Sequence, residues 1–198
     1  NEKMFEPYIS IEGKEKGEKR WLFDGFLFLE IHNGTRGFAS GYKPLPARKT
    51  EWIGLMNGYL KEGRSLRALN DCIEKVKPNA PDHGKRKIVM SLPEPIPNQK
   101  DWGDLNGKPM DFSKTDDRIN VVKWYIDFLI KEFKKAELEN LQLAGFYWLA
   151  EEATNTRTIL KQISEYIKGK GMKFYWIPCF NTDGWKEWKE LGFDKAYL

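Results

Sequence analysis

Cysteine is scarce. Only Cys72 and Cys179 occur in 198 residues, which excludes a disulfide framework and leaves no cysteine spacing suited to zinc. No apolar run approaches the roughly 18 residues of a bilayer span. The residues from Asn1 onward show neither a basic nor an apolar leader region, so a secretory signal is expected to be absent or already removed. The signatures of nucleotide binding are missing too: no Gly-x-Gly-x-x-Gly follows a strand pattern, and no Gly-x-x-x-x-Gly-Lys occurs. The Gly-x-Ser-x-Gly elbow of a serine nucleophile is also lacking. No cofactor and no metal ligand set is read from the chain.

The chain is 40% hydrophobic and 31% charged, enough to bury one core, and a single domain over residues 1–198 is expected. Aromatics reach 14% with eight Trp, a level that suits either sugar stacking or a large core. The net charge of +4 does not point to nucleic acid, because Lys and Glu are interleaved, as in Lys14-Glu-Lys-Gly-Glu-Lys19, the pattern of solvated faces.

One stretch organises the chain. Residues 143–150 are apolar on both alternating faces, as in a parallel strand covered on two sides, and end in Glu151 and Glu152. Further strands are expected at residues 7–11, 21–31, 87–92 and 173–180, with the start of another at 193–198. Helices are expected between them, with apolar stripes such as Ile119, Val122, Ile126 and Leu129, or Ile159, Leu160, Ile163 and Ile167. This order predicts an α/β fold with a parallel sheet and right-handed crossovers, either a (β/α) barrel or a doubly wound sheet with a small-molecule site. The missing nucleotide signatures favour the barrel. The loop over residues 93–117 is too long and too aromatic to be a plain connection. It is expected to be ordered at the Glu151 end of the sheet, with Trp102 facing a cleft.

Several segments in order resemble a bacterial family catalogued as domain of unknown function 4855, described as glycoside-hydrolase-like. They include Trp21-Leu-Phe-Asp-Gly-Phe-Leu-Phe-Leu29, Asp101-Trp-Gly103, Gly145-Phe-Tyr-Trp-Leu-Ala-Glu151, Tyr175-Trp-Ile-Pro178 and Leu191-Gly-Phe-Asp-Lys-Ala-Tyr197. The resemblance implies a (β/α)8 TIM-type barrel and a secreted, periplasmic or envelope protein that degrades polysaccharide. It implies a glycoside hydrolase whose general acid/base is Glu151, at the end of strand four and in a Trp-x-x-Glu pattern from Trp148. Ala150 stands where the large clan of retaining glycosidases carries Asn. The alternative is a barrel that binds carbohydrate without cleaving it.

Glu30, Glu94, Trp102, Asn181 and Trp185 fall at presumed carboxyl ends of strands or in their loops, where the lining of a sugar cleft is expected. The expected partner is a carbohydrate, with neither nucleic acid nor a membrane span; the oligomeric state is not read. About six of eight barrel strands are counted. The barrel is therefore expected to be incomplete, cut at its C-terminus in strand six, with the partner carboxylate of Glu151 beyond Leu198.

Overall fold

The computed structural model describes residues 2–198. The chain opens with α1 (Glu2–Ile9), a ribbon of β1 (Ser10–Glu12) and β2 (Lys19–Trp21), and then β3 (Gly25–Phe28), β4 (Arg36–Gly37) and β5 (Leu45–Pro46). Helices α2 (Lys49–Tyr59) and α3 (Ser65–Val76) lead to β6 (Arg86–Leu92), and a small hairpin, β7 (Asp104–Leu105) and β8 (Lys108–Pro109), precedes α4 (Thr115–Lys135). Then come β9 (Leu141–Trp148), α5 (Arg157–Gly169), β10 (Lys173–Trp176) and β11 (Lys195–Ala196).

The central sheet has five strands in the order β3-β6-β9-β10-β11, all parallel. This corrects the expected barrel with six of eight strands. Residues 7–11 do not form a sheet strand: Pro7 to Ile9 close α1, and Ser10 onward pairs antiparallel with β2. Phe5 and Ile9 stand one helical turn apart. Ile9 is buried, and Phe5 packs on Phe26 and Phe28, with ring centroids 6.5 and 6.2 Å apart. The expected strand at 21–31 divides as well, its start joining the ribbon and residues 25–28 the sheet. Among the described residues, β3 and β11 stand at the two edges and do not pair with each other. Glu151 thus follows the third strand of this sheet, not a fourth.

The two faces of the sheet differ. Ile88, Met90, Leu92, Phe146, Trp148, Phe174 and Trp176 are buried, on the side where the apolar stripes of α2 to α5 belong to the same core. On the other side Leu27, Val89, Tyr147, Tyr175, Ile177 and Tyr197 line an open hollow of about 450 Å³. Leu27 is 39% and Tyr197 51% exposed, so the inner strands β6 and β9 are better covered on this face than the edge strands β3 and β11. A bulge between β6 and β9 moves the pairing from Leu143 to Gly145, skipping Ala144. Gly145 then lies so close to β10 that an added Cβ would be 2.2 Å from the Lys173 carbonyl oxygen.

Candidate functional site

The carboxyl ends of β6 and β9 meet at a cavity of about 290 Å³ lined by Ser40, Tyr42, Glu94, Glu151, Asn155 and Cys179, among others. In parallel sheets this end is where side chains can vary without disturbing the core. Two residues beyond β6, after Pro93 has ended the ladder, Glu94 turns inward. Its amide donates to the Phe38 carbonyl at 2.7 Å, and its Oε2 accepts from the Ser40 amide at 2.7 Å. The other carboxylate oxygen, Oε1, is buried and has no hydrogen-bond partner. Glu94 as a whole is 3% exposed.

Glu151 is reached from β9 through Leu149, whose amide donates to the Leu92 carbonyl at 3.3 Å, and Ala150, whose carbonyl accepts from Trp176 Nε1 at 2.7 Å. The Glu151 backbone carbonyl accepts from the Cys179 amide at 2.9 Å and from Thr182 Oγ1 at 3.1 Å. Its side chain is exposed to the cavity, and Oε2 accepts from the Cys179 thiol at 2.8 Å. That hydrogen bond, with a smaller contribution from burial, pushes the Cys179 thiol up. Tyr42 faces the same carboxylate: burial first, then the hydrogen bond to Glu151 and its charge, push its phenol up to about 12. Tyr147, which lines the hollow on the open face of the sheet, is also raised, chiefly by burial and then by the Glu151 charge.

Arg118 braces the wall from α4. Its Nε donates to the Pro95 carbonyl at 2.8 Å and its Nη2 to the Asn155 carbonyl, while Asn155 Nδ2 donates to Ser40 Oγ at 3.1 Å. Burial lowers the guanidinium and the nearby Glu94 charge opposes this. The lining therefore offers carboxylates, an amide, a phenol, hydroxyls and a thiol within a small volume. Such a set can both give and accept hydrogen bonds from a polyhydroxylated ligand.

Of the residues singled out from sequence, the structure brings Glu94 and Glu151 together in this cavity. Glu30 lines a different hollow of about 600 Å³ with His32, Glu51, Tyr59 and Arg64, and no residue lines both. That larger space is bounded mostly by the faces of α2 and the start of α3, and it receives no residue from the ends of β6 or β9. Trp102 is buried in an aromatic cluster, 5.4 Å from Trp52 and 5.7 Å from both Phe112 and Trp124. Asn181 is exposed with φ 62°, and half-buried Trp185 stands 5.0 Å from Phe180, which is 83% exposed.

Sequence reasoning missed Ser40, Tyr42, Asn155, Cys179 and Thr182 as parts of a site. The available signal was the length of the Gly- and Pro-rich loop over residues 33–47, which is unusual for a plain connection. Among the described residues no group of three or more His, Cys, Asp or Glu is placed to hold a metal ion, and no helix is long and apolar enough to cross a membrane.

A family model described as a domain of unknown function (DUF4855) matches residues 1–198. No curated protein and no solved structure matches the chain.

Proposed function

For a chain that belongs to the DUF4855 family, a domain of unknown function, we propose hydrolysis of glycosidic bonds in a polysaccharide or oligosaccharide, with Glu151 as the general acid. The observation that supports this most is the meeting of Glu151 and the buried Glu94 in one cavity at the carboxyl end of a parallel sheet. Glycoside cleavage needs a proton delivered to the leaving oxygen, and Glu151, like Glu152 beside it, has a side chain open to a substrate, while Glu151 alone of the two meets Tyr42 and Cys179. Tyr42, Asn155 and Ser40 supply hydrogen bonds of the kind that orient sugar hydroxyls. A secreted, periplasmic or envelope setting, where polysaccharide is met, accompanies this reading.

A second reading is carbohydrate binding without cleavage. It is favoured by the occupied state of Glu151, whose carboxylate already accepts from the Cys179 thiol. The two are separated by incubating the protein with a panel of plant and bacterial polysaccharides and of 4-nitrophenyl glycosides, scoring binding by microarray and products by chromatography. Hydrolysis requires products from the wild type and a loss of roughly 10²-fold or more in kcat for Glu151→Gln. Binding with no product establishes the second reading, and neither binding nor product sinks both.

A further inference from the structure

The reading above names an acid but leaves the attacking side of the reaction without a residue. We infer that Glu94 is the second catalytic carboxylate, a general base that acts on the attacking water. This inference rests on the proposed hydrolysis and adds a role and a stereochemical outcome to it.

The argument starts from an orphan atom. A buried carboxylate oxygen without a partner forfeits the hydration it had in the unfolded chain, and most buried polar atoms are paired for that reason. Glu94 Oε1 is such an atom. The nearby Arg118 guanidinium attracts it by charge, but the hydrogen bonds of that guanidinium go to the carbonyls of Pro95 and Asn155. The carboxylate is nonetheless held firmly, through Ser40 on its other oxygen and through its own backbone amide. A charged group fixed in place with one acceptor left unbonded is what a base needs before its water arrives.

Its depth selects the role. At 3% exposure, Glu94 is set back in the cavity wall with Oε1 buried, so an anomeric carbon cannot approach it closely enough to bond directly. A water molecule is the smaller reactant and reaches Oε1 with a smaller displacement of the wall, and the neighbouring Asn155 and Ser40 Oγ offer further hydrogen bonds to it. Glu152, the other carboxylate in the lining, is rooted on the same turn as Glu151 and so approaches the sugar from the same strand end. Glu94 comes from β6, a different strand.

In the reaction, the water oxygen bonds to the anomeric carbon as the bond from that carbon to the leaving oxygen breaks. Glu94 takes one proton from the water, and Glu151 gives its proton to the leaving oxygen. Exchange with solvent returns both carboxyls to their starting states. One water is consumed, and the anomeric configuration inverts.

Glu94→Gln is the test, since its amide oxygen can still accept from the Ser40 amide while it can no longer take up a proton. On whichever 4-nitrophenyl glycoside or polysaccharide the wild type cleaves, the variant should keep the wild-type Tm and KM and lose kcat by about 10²- to 10⁴-fold. Azide should restore turnover to Glu94→Ala as an inverted glycosyl azide, a rescue that a purely structural role would not give. NMR of the first wild-type product should show inversion, and this measurement does not depend on any variant folding. Retention of configuration, or near wild-type kcat in Glu94→Gln, overturns the role of Glu94. If Glu151→Gln is still inactive in that case, the hydrolase reading survives; a wild type that cleaves nothing overturns both.

Discussion

Gly145→Ala adds one methyl group at the closest approach of two strands. The new Cβ would stand 2.2 Å from the Lys173 carbonyl oxygen and 2.9 Å from Tyr175 Cε2. A comfortable carbon–oxygen contact is about 3.3 Å, so β9 and β10 must part by roughly 1 Å at this point. The obstacle is backbone, which cannot rotate aside as a side chain does. Overpacking of this kind costs about 1–3 kcal/mol, and weakening the adjacent ladder bond adds about 1 kcal/mol. The expected loss is about 2–4 kcal/mol, read as a lower denaturation midpoint in urea with an unchanged slope. Gly169→Ala is the control: nothing lies within 4 Å of its added Cβ at the end of α5, and it should be neutral or stabilising by up to about 1 kcal/mol. Moving β10 also draws Cys179 away from Glu151, which removes the hydrogen bond that raises the thiol. Alkylation at pH 8 should therefore be faster in folded Gly145→Ala than in wild type. A variant within about 0.5 kcal/mol of wild type, with unchanged thiol reactivity, would refute the claim that this contact sets the spacing of the two strands.

Two further outcomes follow from the site and its support. Trp102→Ala empties the centre of the cluster with Trp52, Phe112 and Trp124 and should lower stability by about 3–5 kcal/mol. A glycan-stacking role would instead leave the denaturation midpoint in place and change only binding. Tyr42 should titrate near 12 in an absorbance titration of the phenolate and shift downward in Glu151→Gln. The sign is fixed by its raised folded value: the stabilisation is fully present below the ordinary phenol value of about 10 and is lost as pH rises through 12. An unshifted Tyr42 in Glu151→Gln would separate the two groups.

The strands that could be read from sequence were those whose apolar alternation is long and bounded. β6, β9 and β10 each stop near Pro or at a pair of carboxylates, and α4 and α5 between and after them carry clean helical stripes. Residues 7–11 misled because five residues with Pro7, Tyr8, Ile9 and Ile11 fit the end of a helix as well as a strand. The choice was made by packing of Phe5 and Ile9, which no local pattern shows. That one element raised the strand count from five to six, whereas the barrel came from the strand–helix alternation, the missing nucleotide signatures and the family resemblance, none of which shows whether the sheet closes. Glu94 and Glu151 were legible because both follow strand ends. Tyr42 and Ser40 were not, since their segment is aperiodic and is held at the site by backbone bonds from Phe38 to Ile31 and from Glu94 to Phe38. Trp102 stood out as an aromatic in a long loop. Whether such a ring turns to the core or to a cleft is a tertiary matter.

The spatial order of the central sheet repeats the order of the chain, and this bears on how the molecule assembles itself. Each strand can be added beside its predecessor without threading past one already placed. The steps are unequal: joining Gly145 to Lys173 closes a stretch of chain less than half as long as joining Gly25 to Lys87. Each doubling of a closed loop costs about 0.6 kcal/mol of chain entropy, so the β9–α5–β10 unit has the smaller entropic hurdle. It carries Glu151, with Cys179 just beyond the end of β10, and that half of the site can form from local segments. Glu94, Ser40 and Tyr42 depend on the longer closures, so the complete cavity is a late product of folding.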